Sequence, residues 1–392
     1  MRSLWLILCL TACAASDKQE DTAAELGDSD ADSDAGADSD SDTDSDDTGD
    51  GEGPDIWYPA DQAGPFKVGT TELSFVGQTG VEMRVQVWYP TTENTTMLHQ
   101  YDGLYMDTAL DVPVPDCSAV RPVMAFSHGN QGMRWQSTFL TEWMATHGFV
   151  VIAPDHTGNT TFDYTVERLP EMVFRRPLDI KDAVDWLFGV GGQEAGLVDC
   201  LDETNGYAVT GHSFGGYTAT AVGGADFDYE ASVAFCEAAG GWLCDEFQAW
   251  VEEHPEAETM SLKDERVWAS IPLAPAGFEV LGAGAASAEV PFLVLGAEWD
   301  NATPMATQVR PIYEALGSEV KHMGMLKESG HMIFSMACQL TDFPECFEPY
   351  LSYEQGHPEL QTVITAFLQM VQGNPDAADY FPTDSDLWEW EG

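Results

Sequence analysis

The residues of this sequence best suited to chemistry are a serine in Gly211-His212-Ser213-Phe214-Gly215, an aspartate at Asp300 and a histidine at His331. A serine hydroxyl is a weak nucleophile until a base removes its proton, and that base needs an acid to orient it. In a chain with 36 Gly, Gly-x-Ser-x-Gly arises easily by accident, so its setting decides. Residues 207–210 are β-prone and follow an Asn205-Gly206 turn, and residues 217–222 are small and helix-prone. A strand, a sharp turn and a helix lift a serine hydroxyl to a helix N-terminus, where the next backbone N–H can support an oxyanion. Glycine is needed at 211 and 215 because side chains there would clash where strand and helix nearly touch. The chemistry expected is attack of Ser213 on an acyl carbon.

The acid and base follow in chain order. Gly296-Ala297-Glu298-Trp299-Asp300 comes after an apolar run at 292–295, so Asp300 sits at the carboxyl end of an expected strand, with Glu298 as runner-up. Glu328-Ser329-Gly330-His331 comes after the next expected strand, at 320–326, and its position selects His331 among nine His. Phe126-Ser127-His128-Gly129-Asn130-Gln131-Gly132 follows an early strand; the Asn130 backbone N–H is the expected oxyanion donor, with that of Phe214 as its partner. His128 and His212 are read as structural neighbours. Trp135, Trp242 and Trp299 are candidates either for lining a pocket or for simple core. No metal or organic cofactor is needed for this chemistry.

These side chains must be held by a scaffold. Short apolar runs of buried-strand type at 123–127 and 149–153 flank a helical pattern at 135–147. Residues 83–89 alternate like an exposed strand, and 178–188 form an amphipathic helix. The pattern repeats with a helix at 214–223, strands at 267–273 and 292–295, a helix at 304–316, a strand at 320–326 and a last helix at about 358–371. Such alternation predicts an α/β fold with a mostly parallel central sheet flanked by helices. Residues 225–262 interrupt it as a Cys-bracketed helical insertion after the helix that follows Ser213.

On these residues the chain resembles the α/β-hydrolase superfamily. Within it, the chain is similar to the platelet-activating-factor acetylhydrolase and dienelactone-hydrolase-like esterases, with a likeness to cutinase-like polyester hydrolases. The resemblance is carried by Val87-Trp88-Tyr89-Pro90, Ser127-His128-Gly129-Asn130, residues 153–160, Arg176-Pro177-Leu178-Asp179-Ile180, the turn at Ser213 and the run from Gly296 to Pro304. It implies Ser213, Asp300 and His331 as a triad with backbone donors at Asn130 and Phe214. Dienelactone hydrolases proper use a Cys nucleophile, so Ser213 departs from them, and the insertion is not matched to the acetylhydrolases. The resemblance therefore bears on the chemistry more than on the substrate.

The amino terminus and the charge concern location. Met1 and Arg2, the apolar run 4–10 and Leu10-Thr11-Ala12-Cys13 resemble a bacterial lipoprotein signal, in which cleavage before Cys13 frees it for lipid attachment. The formal net charge is −52, and residues 17–55 hold 17 acidic residues against one basic. That segment is expected to be a solvated, disordered tether, with calcium binding as the weaker alternative because no complete calcium loop is present. So acidic a surface excludes nucleic acid as a partner and would favour a neutral or cationic substrate or a salty medium. Beyond Cys9 and Cys13, six Cys remain. Cys236/Cys244 and Cys338/Cys346 are each eight apart and suit local disulfides, leaving Cys117 and Cys200, although 15 pairings are formally possible and zinc is a weaker alternative. The expected divisions are a signal at 1–12, lipidated Cys and linker at 13–55, a catalytic domain at 56–375 and an acidic carboxyl-terminal tail at 376–392.

The expectation as a whole is an exported, membrane-anchored lipoprotein at a cell surface or in a periplasm. It would hydrolyse small-molecule, lipid or polymer esters and touch the membrane only through its lipid. A serine exopeptidase and a non-catalytic adhesive lipoprotein are the alternatives.

Overall fold

The structure, a computed structural model, describes residues 57–392. The signal, Cys13 and the acidic linker lie outside the described residues. Ten strands form one sheet: β1 (Lys67–Val76), β2 (Glu82–Thr91), β3 (Leu110–Asp111), β4 (Val123–Ser127), β5 (Val150–Pro154), β6 (Tyr207–His212), β7 (Val267–Leu273), β8 (Phe292–Ala297), β9 (Lys321–Leu326) and β10 (Trp388–Glu391). Their order is β10-β9-β8-β7-β6-β4-β5-β2-β1-β3. The run from β5 to β9 is parallel, whereas β1 and β2 form an antiparallel pair at one side and β10 adds antiparallel to β9 at the other.

Helices cover both faces, which is why the central strands are continuously apolar. They are α1 (Thr138–Thr146), α2 (Leu169–Trp186), α3 (Phe214–Val222), α4 (Tyr229–Ala239), α5 (Trp242–Glu253), α6 (Arg310–Ala315) and α7 (Tyr353–Val371). Successive strand residues point to opposite faces. Met124 and Phe126 of β4 therefore join Leu140 of α1 and Phe367 of α7 in one core cluster. Val123 and Ala125 join Ile180 and Val184 of α2 and Val222 of α3 in another. A third cluster packs α3, α5 and α6 against Phe292 and Val294 of β8.

Several elements differ from the sequence expectation. Residues 83–89 are not an exposed strand: Val85, Gln86, Val87, Trp88 and Tyr89 are all fully buried. The Gln86 amide nitrogen donates to Thr70 Oγ1 at 2.8 Å and lies 3.3 Å from His99 Nε2. The helix expected from 178 begins at Leu169 and accommodates Pro177 within it, and the last helix starts at Tyr353. The carboxyl-terminal segment, expected as an acidic tail, packs on the sheet. It supplies β10, with Trp388 buried and Arg310 holding Glu389 and Glu391 at 2.9 and 3.0 Å. The insertion forms two helices, α4 and α5, joined by Cys236–Cys244.

The six cysteines pair as Cys117–Cys200, Cys236–Cys244 and Cys338–Cys346, with Cα separations of 4.6, 5.2 and 5.2 Å. Three such pairs are compatible with an exported protein. Among the described residues no helix is long and apolar enough to cross a membrane.

Candidate active site

Ser213 stands between β6 and α3 with φ +61° and ψ −115°, a backbone conformation that costs a non-glycine residue free energy. Local packing imposes it. A Cβ on Gly211 or Gly215 would run into the Ser127 carbonyl, so strand, turn and helix approach more closely than side chains permit. The strained turn is held by Ser213 N–H donating to Leu273 O at 2.9 Å and Ala276 N–H donating to Ser213 O at 3.2 Å. Phe214 opens α3, and the first N–H groups of a helix lack an acceptor within it.

His331 and Asp300 come from the loops after β9 and β8. His331 Nδ1 lies 2.7 Å from Asp300 Oδ2. The carboxylate also accepts from Ala302 N (2.7 Å), Thr303 N (2.8 Å) and Thr303 Oγ1 (2.8 Å). Asp300 is buried, which disfavours its charge, but His331 and the Thr303 bonds outweigh burial and hold its pKa below the ordinary value. For His331, burial pulls the pKa down, yet the charge and hydrogen bond of Asp300, with Glu345 beyond, raise it above the ordinary value. Because Nδ1 is committed to Asp300, Nε2 is the nitrogen left to serve a hydroxyl. Glu298, the runner-up, is exposed and accepts from Glu328 N at 2.9 Å instead.

Ser213, His331 and Asn130 line one cavity of about 1120 Å³, mouth included, with Gln136, Met332 and Phe343 among its walls. Gly129 N donates to Gln136 Oε1 at 2.9 Å and Gln131 N to Asn159 O at 3.2 Å, which fixes the loop carrying Asn130. Asn159 Nδ2 also donates to Asn130 Oδ1 at 2.8 Å. His212 packs its ring 4.5 Å from that of His331 and contacts Gln136 Nε2 through Nδ1 at 2.9 Å. His128 accepts from His156 N at 3.0 Å through Nε2, which leaves its Nδ1–H to donate to Gly129 O at 2.7 Å. Burial drives the pKa of both His128 and His212 well below the ordinary value, so both are neutral. Trp135 does not line this cavity. It is buried in the core, and its indole N–H donates to Asp102 Oδ2 at 2.7 Å. Trp299 meets Tyr350 edge-on at 5.3 Å, and the side chain of Trp242 lies outside what the structure describes.

Sequence reasoning missed a second Ser-His-Asp chain directly beneath the first. Ser127 Oγ lies 2.9 Å from His156 Nε2, and His156 Nδ1 lies 2.9 Å from Asp179 Oδ2. All three residues are fully buried, so no substrate reaches Ser127. Burial pushes Asp179 up to about 7 and His156 well down, which makes this a chain of hydrogen bonds between weakly charged groups. Arg176, also fully buried, organises it. Its guanidinium donates to Ser127 Oγ (3.1 Å), Thr218 Oγ1 (3.2 Å), His128 O and Asn159 Oδ1, and lies 4.7 Å from the Phe214 ring centroid. Arg176 thus touches both sides of the site: Asn130 through Asn159, and Phe214 directly. The available signal was Arg176 and Asp179 three apart in an otherwise amphipathic helix, on the face turned to the sheet.

Among the described residues no three His, Cys, Asp or Glu side chains gather so as to hold a metal ion. The arrangement offers a strained, partly accessible hydroxyl, an imidazole oriented by a buried carboxylate, and backbone N–H groups at a helix start. No protein-family model matches the chain, and no curated protein matches it.

Proposed function

We propose that this chain is a serine carboxylester hydrolase of the α/β-hydrolase fold, exported and tethered by a lipid on Cys13. The observation that carries the reading is the strained Ser213 at a strand-to-helix turn, sharing one cavity with an imidazole that Asp300 holds by Nδ1. The order serine, acid, histidine along the chain, each after a parallel strand, supports that fold.

In this mechanism His331 Nε2 accepts the Ser213 proton as Oγ attacks the ester carbonyl. The developing oxyanion is held by the N–H groups of Phe214 and Asn130, and the imidazolium by Asp300. Collapse of the tetrahedral adduct breaks the bond to the leaving alcohol, which takes the proton from His331. Water, deprotonated by His331, then hydrolyses the acyl-serine and regenerates both groups. The Ser213–His331 hydrogen bond forms as substrate settles, since such contacts tighten only in the Michaelis complex.

The test is hydrolysis of p-nitrophenyl acetate, butyrate and palmitate by the protein and by Ser213→Ala. The reading requires ester cleavage that the substitution reduces by about 10⁶-fold in kcat. No cleavage of any of the three would refute it, and equal activity in the variant would remove Ser213 from the nucleophile role.

A further inference from the structure

A second cavity abuts the backbone that carries Ser213. Phe214, the residue after the serine, and Ala276, whose N–H donates to Ser213 O at 3.2 Å, both line it. Its remaining walls come largely from Leu169 and Val173 of α2 and from Phe235 and Phe247 of the insertion helices. The empty space there, its open mouth included, is about 770 Å³. The Cys236–Cys244 pair forms part of the wall and sets the spacing of α4 and α5 there. Asp228 ties the insertion to the neighbouring loop by donating its N–H to Val280 O at 2.9 Å and accepting from Ala283 N at 3.0 Å.

Glu279 is the one carboxyl in this largely apolar lining, beside Gln308 and Ser232. Glu279 Oε1 accepts from Gln308 Nε2 at 2.6 Å, and Gln308 Oε1 accepts from Phe278 N at 3.2 Å, so the carboxyl is held in place. Its other oxygen, Oε2, is buried with no hydrogen-bond partner among the described residues. Such an atom is costly unless something supplies the missing bond. Burial also raises the Glu279 pKa, which favours a neutral carboxyl able both to accept and to donate.

Resting on the hydrolase reading above, we propose that this cavity receives the acyl chain of the substrate, a medium-length chain ending in a hydroxyl that hydrogen-bonds Glu279. The direction follows from the chemistry. The acyl carbonyl oxygen sits at the Phe214 N–H, and the Phe214 side chain lines this cavity. The leaving alcohol takes its proton from His331, which lines the other cavity. Each methylene buried in the apolar part contributes about fourfold to binding.

The experiment compares kcat/KM for p-nitrophenyl acetate, hexanoate and 6-hydroxyhexanoate in the protein, in Val280→Trp, which fills the cavity from the loop side, and in Glu279→Leu. The hexanoate-to-acetate ratio should fall at least tenfold in Val280→Trp. Glu279→Leu should abolish a severalfold preference for the hydroxylated chain over hexanoate. A hexanoate-to-acetate ratio unchanged by the filling, or no preference for the hydroxyl in the unaltered protein, overturns the proposal. Val173→Trp fills the same space from α2 and replaces Val280→Trp if that variant fails to fold by circular dichroism. Failure of the hydrolase reading is told apart by calorimetry on Ser213→Ala, which reads binding of methyl 6-hydroxyhexanoate without turnover. Binding that the filling variant abolishes supports the cavity's occupant even where no ester is cleaved, and no binding overturns it.

Discussion

Replacing Arg176 with methionine should damage stability and catalysis together. The side chain is fully buried, and burial depresses its pKa to about 9. Of its four hydrogen-bond acceptors, Ser127 Oγ keeps His156 Nε2 at 2.9 Å, and Thr218 Oγ1 keeps its bond to Phe214 O at 2.9 Å. His128 O and Asn159 Oδ1 lose the donor that Arg176 supplies. A buried acceptor stripped of its partner costs about 1–3 kcal/mol, so the two together amount to about 2–6 kcal/mol. Removing a desolvated cation gives part of this back and pulls the net toward the lower end. The catalytic effect runs through Asn159, whose amide fixes Asn130 at 2.8 Å. Loss of one oxyanion donor costs about 10²–10³ in kcat, which is the ceiling for a displaced Asn130. Urea unfolding measures the first quantity. Hydrolysis of p-nitrophenyl acetate, normalised to active sites by the burst of nitrophenolate, measures the second. Arg176→Lys, which keeps the charge but not the fork, should recover stability better than kcat. A destabilisation below about 1 kcal/mol, or a burst-normalised kcat within twofold of the unaltered protein, would refute the role given to Arg176.

Three further outcomes follow from the same structure. Because Asp300 holds the His331 pKa above its ordinary value, the imidazole is protonated and inactive below that raised pKa. The acid limb of kcat/KM should therefore lie above about 6.5 and move to lower pH in Asp300→Asn, with kcat down about 10⁴-fold; a limb that does not move contradicts the role given to Asp300. Replacing both Cys117 and Cys200 by serine opens a loop of 83 residues and should cost about 4.5 kcal/mol, against about 2.5 kcal/mol for the eight-residue Cys338–Cys346 loop; equal losses in urea unfolding would count against loop-closure entropy as the cause. If Cys13 carries the proposed lipid, Cys13→Ser should shift the protein from the detergent to the aqueous phase in a phase-separation assay, and unchanged partitioning would disprove lipid attachment at that residue.

The sheet and the serine turn were legible because their signals are local. A strand such as 267–273 declares itself by apolar continuity, and the turn at Ser213 by two glycines whose side chains would collide with Ser127 O. What escaped depends on contacts between distant segments. Residues 83–89 look exposed because Arg84 and Gln86 alternate with apolar neighbours, and the partners of the buried Gln86 amide nitrogen, Thr70 and His99, come from elsewhere in the chain. The end of the chain reads as an acidic tail by its charge. Yet Trp388-Glu389-Trp390-Glu391 has the period of a strand, and Arg310 supplies the neutralising cation. Arg176 stood in the sequence only as part of a motif just before the expected helix, and its buried role was hidden because its acceptors come from residues 127, 128, 159 and 218.

The two Ser-His-Asp chains show why residue types and hydrogen bonds do not by themselves define a catalytic site. Ser127–His156–Asp179 has the better closed geometry, with both bonds formed at 2.9 Å, whereas the structure closes only the Asp300–His331 bond of the other. Closure is what a supporting network requires: it stiffens the end of β4 against which Gly211 and Gly215 pack, and it needs no access. A nucleophile requires the reverse. Its hydroxyl must be exposed to a cavity, held by a strained backbone that cannot relax away from substrate, and left with an unspent base nitrogen. Ser213 meets each condition, with φ +61° and a cavity shared with His331. Strain there is sustained only because the layer beneath does not yield, so the buried chain and Arg176 belong to the proposed site as its support, and weakening them should loosen Ser213 before it unfolds the sheet.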